Sequence, residues 1–225
     1  MFKLKKQFTT FICYRRTEKR GNLEMPVGSY IARIIYEYLS QNGIKVCYDI
    51  ETFKPSEDYK ERTSEILEQI RCFILILTPN LLNRCVNKLQ DDEDDVYREL
   101  MIAISKYQKE QNDTAIPKQN KFRIITINPD SLFDYDKHIP KSIDSQIICR
   151  LKSTNVCDIQ FCKTDFKNHM QGLLMIIKDT LRDNNLIDMI NNKYCEQKQD
   201  IINTSLSLQK KFIGRLVEKF LNTFN

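Results

Sequence analysis

The acidic side chain best placed for chemistry in this chain is Glu99. Val96 precedes it by three residues, and Ile102 and Ala103 follow it by three and four, so on a helix Glu99 lies along or beside the apolar face. A carboxylate there is partly desolvated, which raises its pKa and strengthens its interaction with a developing positive charge. Cleavage of a glycosidic bond through an oxocarbenium-like state requires such a group. The same spacing also fits an ordinary boundary glutamate early in a helix, favoured by the helix dipole together with Asp91, Asp92, Glu93, Asp94 and Asp95. A second cluster is Tyr14-Arg15-Arg16, directly after a β-prone run. Aromatic and guanidinium groups at a strand's carboxyl end can stack on a base and pair with a phosphate, or simply cover the sheet edge as a solvated loop. The third is the segment from Asp49 to Tyr59, with Asp49, Glu51, Phe53 and Tyr59. Aromatics on a long loop contact a ligand or another copy, or pack back on their own domain.

Much other chemistry has no residues to carry it. The chain of 225 residues holds two histidines, His138 and His169, and no P-loop, GxGxxG, HExxH or GxSxG pattern, which removes most metal hydrolases and His-based triads. Cys149, Cys157 and Cys162 stand as C-x7-C-x4-C, a spacing that suits no zinc knuckle, so no metal site is expected. The eight cysteines lack CxxC pairing and several lie in apolar runs, which points to reduced, buried thiols in a reducing, cytoplasmic setting. Net charge is +5, but 35 bases intermix with 30 acids, too even a balance to imply a nucleic-acid partner. The apolar stretch after the basic start is too short for a signal peptide, and no apolar run reaches the roughly 20 residues of a membrane span.

The elements that must position these residues alternate. Phe8 to Cys13 predicts a strand, and Arg15 to Glu24 a polar loop. A helix is predicted from about Pro26 to Gln41, with Pro26 suited to the first turn and Asn42-Gly43 to the end. Ile44 to Tyr48 is then a strand, Ser56 to Ile70 a helix, and Cys72 to Thr78 a buried strand. A helix from Asp94 to Tyr107 follows, then a strand at Phe122 to Ile127 ended by Asn128-Pro129, and a turn-rich stretch from Pro129 to Ser145. The last pair is a strand near Val156 to Phe161 and a helix near Asp165 to Arg182. This order predicts an α/β fold, an open doubly wound sheet of five parallel strands with ligands beyond the strands' carboxyl ends. Residues 1–184 form one domain in this scheme, and 185–225 a helical C-terminal extension. The extension has a basic amphipathic stretch whose apolar stripe runs Leu206, Ile213, Val217, Phe220 and Phe224, suited to packing on its own domain, a second copy, a partner or a membrane surface.

Taken in order, the pieces resemble a TIR (Toll/interleukin-1 receptor) domain. Phe11-Ile12-Cys13-Tyr14-Arg15-Arg16 is similar to the family's opening box, in which a strand ends in Phe-Ile-Ser-Tyr-Arg-Arg. Asp49-Ile50-Glu51 and the loop after it resemble the BB loop, and Phe73 to Asn80 resembles the third strand with its Ser-Pro ending. Asp95-Val96-Tyr97-Arg98-Glu99-Leu100 resembles the box that carries the family's glutamate. Three departures stand out: Cys13 replaces the opening-box serine, Asp95 replaces the tryptophan of the glutamate box, and Phe53-Lys54-Pro55-Ser56-Glu57-Asp58 lacks the BB-loop glycine.

The resemblance covers about Phe8 to Arg182 and is greatest to the NAD-cleaving branch, as in bacterial (Thoeris-like) antiphage defence. It implies a flavodoxin-like sheet, Glu99 as the catalytic residue, Tyr14, Arg15 and Arg16 lining a nucleotide cleft, and Asp49 near its floor. Phe53 and Tyr59 would belong to the loop that closes against a neighbouring copy. NAD+ would be substrate, with no resident cofactor and no metal. The implied partners are other TIR copies and a separate effector protein or activator. Two rivals share the fold class: a non-enzymatic TIR adaptor acting by assembly, and a nucleoside deoxyribosyltransferase-like enzyme.

Overall fold

The structure is a computed structural model. It describes residues 8–20, 23–48, 59–83, 85, 94–117, 120–141, 143, 145–153, 156–161 and 165–181. The expected loop residues Asp49 and Phe53, and the expected C-terminal extension 185–225, lie outside the described residues.

The elements are β1 (Thr10–Cys13), β2 (Glu18–Arg20), β3 (Leu23–Met25), α1 (Val27–Gln41), β4 (Val46–Cys47), α2 (Tyr59–Gln69) and β5 (Cys72–Ile76). There follow α3 (Asp95–Asn112), β6 (Arg123–Pro129), α4 (Tyr135–His138), α5 (Ser145–Ser153), β7 (Val156–Ile159) and α6 (Phe166–Leu181). Five strands pair in the order β4-β1-β5-β6-β7, and every pair is parallel. In chain order this sheet is 2-1-3-4-5, the flavodoxin-like doubly wound arrangement. The chain reverses its winding between β1 and β5, so the crevice beyond Cys13 and Ile76 is the topological switch point.

Side-chain alternation along the strands divides the core. Ile12, Tyr14, Ile74 and Ile76 pack on one face with Ile31, Ile35 and Leu39 of α1 and Met170, Leu173 and Ile177 of α6. Phe11, Cys13, Phe73 and Leu75 pack on the other with Ile66 and Leu67 of α2, Leu100 and Ile104 of α3, and Ile147 and Leu151 of α5. The helices form because their apolar residues recur at three and four, giving each one apolar stripe. Lys106 of α3 locks α2 in place: its ammonium donates to the carbonyls of Leu67, Glu68 and Ile70 at 3.2, 2.6 and 2.7 Å, capping the end of α2 opposite Tyr59.

Three differences from the sequence expectation have physical causes. The stretch expected as a polar loop from Arg15 to Glu24 contains the antiparallel pair β2–β3. Gly21-Asn22 between the two strands is a two-residue hairpin signal, masked by the mostly polar residues around it. The strand expected to end at Ile127 runs on through Asn128 and Pro129, which pair with Asp158 and Ile159 of β7. Pro129 is tolerated at the strand's end, where its carbonyl accepts from Leu132 N–H at 2.8 Å. A turn through Asp130 and Ser131, at φ 46° and 56°, then reverses the chain, and Asn128 ties it by hydrogen bonds to both backbone groups of Phe133. Finally, α5 begins at Ser145, where the turn-rich stretch was expected to end and no helix was anticipated; Ile147 and Leu151, four apart, supply its buried contacts.

Candidate functional site at the switch point

The first turn of α3 organises the site. Asp94 is its N-cap and accepts from Tyr97 N–H at 3.1 Å. The same carboxylate takes a two-pronged contact from Arg15, with Nη1 to Oδ2 at 2.6 Å and Nη2 to Oδ1 at 3.0 Å, while Nη2 also donates to Leu81 O at 2.7 Å. Arg15 therefore ties the end of β1 to the turn after β5 and to the start of α3. Burial works against its charge, but the hydrogen bond and charge of Asp94 more than offset this and hold it above the ordinary guanidinium value. Cys85 lies against the same carboxylate at 3.8 Å, and burial, with Asp94 adding to it, pushes its thiol up to about 12.

One turn into α3, Glu99 is 4% exposed. It faces the end of β1 and the start of α2. Tyr59, the first residue of α2, donates its hydroxyl to Glu99 Oε1 at 2.6 Å. The buried Cys13 thiol, at the last position of β1, is near the same carboxylate, and burial first, then the charge of Glu99, hold that thiol well above its ordinary value. Neighbouring Arg98 lies over the Tyr59 ring, 5.9 Å from its centroid. Its Nη2 is 3.2 Å from Asp95 Oδ1, an ion pair by distance, yet the alignment is poor and Nε, Nη1 and Nη2 are all buried without a well-formed hydrogen bond.

The other site candidates occupy different surroundings. Alternation sends Tyr14 to the opposite sheet face from Cys13, where its buried ring stacks on Tyr48 at 5.8 Å and Tyr48 stacks on Tyr36 at 5.0 Å. Arg16 is exposed, and its carbonyl accepts from Ser29 Oγ at 3.0 Å. Gly28, in the first turn of α1, lets the Arg15 carbonyl come so near that a Cβ would sit 1.8 Å from its oxygen. The structure thus brings Glu99 and Tyr59 into direct contact, pairs Arg15 with Asp94, and turns Tyr14 inward; Asp49 and Phe53 are outside the described residues.

Sequence reasoning missed two members. Cys13 was read as a departure from a motif, not as a partner of Glu99, because contact across 86 residues of chain leaves no local trace. Glu18, on β2, is fully buried and accepts from Asn80 N–H at 2.8 Å beside the end of β5. Burial raises its pKa, while contacts from Thr78 and Asn80 and the charge of Arg15 draw it down; the Thr78 hydroxyl lies close without a well-aligned hydrogen bond. A charged residue among other polar ones gives no periodic signal that it will be buried. Both histidines have structural partners: Nδ1 of His138 accepts from Asp134 N–H at 2.9 Å, and Nδ1 of His169 from Gln160 N–H at 3.2 Å.

The TIR-domain family model matches residues 11–134, more than half of the chain and the whole stretch from β1 past the glutamate helix. The chain belongs to the TIR-domain family. The TIR domain is also similar to a curated protein described as NAD(+) hydrolase sarm1 of Drosophila melanogaster, at 29% identity over 100 residues. That alignment covers 44% of this chain and 6% of the relative, so the chain spans a small part of that protein's length. Among the described residues, no helix of this TIR domain is long and apolar enough to cross a membrane.

Proposed function

We propose that this TIR domain is an NAD+ glycohydrolase or ADP-ribosyl cyclase. The observation that carries the reading is a buried carboxylate, Glu99, held by a 2.6 Å hydrogen bond at the switch point of the sheet. Membership of the TIR family and the hydrolase name of the relative support it. In the proposed reaction the bond between the ribose C1′ and the nicotinamide nitrogen breaks. Its electron pair leaves with nicotinamide, and positive charge builds on the ribosyl C1′ and ring oxygen. The Glu99 carboxylate stabilises that charge and orients the ribose hydroxyls, a fixed negative group in a water-poor site. Water then adds at C1′ and releases a proton to give ADP-ribose, or the ligand's own adenine adds to give a cyclic isomer. NAD+ is substrate in this scheme, and neither a metal nor a resident cofactor takes part.

The remaining assignments belong to the same proposal. The loop Tyr14-Arg15-Arg16 forms the adenosine-diphosphate end of the cleft, with Arg16 facing solvent, Arg15 held on Asp94 and Tyr14 anchoring the loop from the opposite sheet face. In this reading Asp49, Phe53 and Tyr59 also serve ligand binding, Phe53 and Tyr59 together with assembly of TIR copies. Residues 185–225 are the self-association or partner surface, and a role in antiphage immunity beside a separate effector fits this arrangement.

The test is an NAD+ time course with concentrated protein, comparing the native chain with Glu99→Ala and identifying products by mass. Nicotinamide release that falls by about 10²–10³-fold in the variant is the expected result. Equal release by both would remove Glu99 from the chemistry. No release at any concentration, with assembly unchanged in the variant, would leave the non-enzymatic adaptor.

A further inference from the structure

Among the described residues, two elements other than its own helix bring a hydroxyl or thiol to Glu99. The phenol of Tyr59 approaches from the first residue of α2, and the thiol of Cys13 from the last residue of β1. At 2.6 Å, the tyrosine contact has the length of an O–H donor on an ionised carboxylate. The Arg98 guanidinium over the Tyr59 ring favours negative charge on the phenol oxygen, which makes its hydroxyl a better donor. A thiol is a much weaker donor than a hydroxyl, so the two contacts are unequal. Resting on the reading of Glu99 above, we propose that Tyr59 and Cys13 are positioning residues that clamp the Glu99 carboxylate, fixing its rotamer and keeping it ionised, with Tyr59 the dominant half.

The clamp explains two features that nucleotide contact does not. Tyr59 spends its hydroxyl on the carboxylate, so its part in the reaction runs through Glu99. Cys13 places a poor donor where the family's opening box has serine, which leaves the tyrosine to supply the stronger contact. Among the described residues, the other charged and titratable groups near the clamp are Arg15 after β1, Cys85 after β5, and Asp94 and Arg98 at the start of α3. Arg15 is paired with Asp94 and the Cys85 thiol is held neutral, while Arg98 stays against the aromatic ring that Tyr59→Phe keeps.

The sign follows from which form is bound: a donor to the carboxylate favours the charged state, so removing it raises the pKa. The experiment titrates Glu99 in the full chain by carbon-13 NMR of labelled glutamate carboxyls, assigned with Glu99→Gln, in the native protein, Tyr59→Phe and Cys13→Ser. Phenylalanine keeps the ring under Arg98. An upward shift of about one unit or more is expected in Tyr59→Phe. A smaller downward shift is expected in Cys13→Ser, where a hydroxyl replaces the thiol. In parallel, the acidic limb of kcat for nicotinamide release should move to higher pH in Tyr59→Phe with KM little changed, a split that simple loss of packing would not produce. A Glu99 titration unmoved by Tyr59→Phe overturns the proposal. Should that variant fail to fold, the Cys13→Ser titration decides, and absence of a downward shift overturns it. The expected NMR shifts in a protein that never releases nicotinamide would uphold the clamp while refuting the enzymatic reading, so the two failures are distinct.

Discussion

Along β1 the side chains of Ile12 and Tyr14 go to one face of the sheet and those of Phe11 and Cys13 to the other, and the two faces are built differently. The face under α1 and α6 packs aliphatic side chains, Cys72, Phe161, Phe166 and three stacked tyrosines. The face under α2, α3 and α5 has an equally apolar centre but admits Glu99, and at its margins Arg15, Arg98 and Lys106. It can do so because most of these groups are partnered: Glu99 by Tyr59, Arg15 by Asp94, and Lys106 by three carbonyls. Burying a charge is costly unless it is paired and hydrogen-bonded. A buried polar group therefore belongs where several elements converge to supply partners: the switch point for Glu99 and Arg15, and the opposite end of the sheet, before β5, for Lys106.

The comparison is broken most severely at Asp94. Asp94→Ala leaves the Arg15 guanidinium, among the described residues, with the Leu81 carbonyl alone and strips α3 of its N-cap. Urea unfolding should show a loss of about 4 kcal/mol at pH 7, with an unchanged m-value. A loss below about 1 kcal/mol would mean that the tie between β1 and α3 carries little.

On the apolar face, Ile35→Ala empties a fully buried site beneath α1. It should cost about 3 kcal/mol by the same measurement. Nicotinamide release per folded molecule should change little, because among the described residues a hydrogen bond to the Glu99 carboxylate comes from Tyr59 of α2, which packs on the other face. A change in activity at constant folded fraction would show that the two faces are coupled through the sheet.

The smallest effect sharpens the comparison through pH. Burial, countered by the charge of Glu110 and reinforced by that of Arg71, lowers the Lys106 pKa to about 8. Between pH 8 and the ordinary lysine value near 10.4 the unfolded chain holds a proton that the folded chain has lost, so this group adds stability as pH rises. The deficit of Lys106→Met relative to the native chain should therefore widen modestly from pH 7.5 to pH 9.5 in parallel melts. A deficit that shrinks over that range would reverse the assignment.

The fold was legible at the level of pattern. The helical stripe of α1, the buried run of β5 and the alternation of strand and helix gave the five-stranded parallel sheet, and the motif resemblance gave the family. The hairpin β2–β3 and helix α5 were not anticipated, since three-residue strands and a nine-residue helix offer too few repeats for a period to stand out. In the site, Glu99 was legible from its spacing to Val96, Ile102 and Ala103, and it is buried as that spacing implied. Tyr14 and Arg15 were legible as residues but not as to where their side chains would go.

By itself, then, the chain's sequence determined the periodicities, the order of elements and the motif that marks Glu99, because each is written in residues three, four or two apart. Only the tertiary structure decided that Cys13 and Tyr59 meet on Glu99, that Arg15 closes on Asp94 and that Tyr14 turns away. Those outcomes depend on strand order and on which face each side chain of β1 takes. Both are settled by packing between segments 40 to 86 residues apart, where local spacing carries no information.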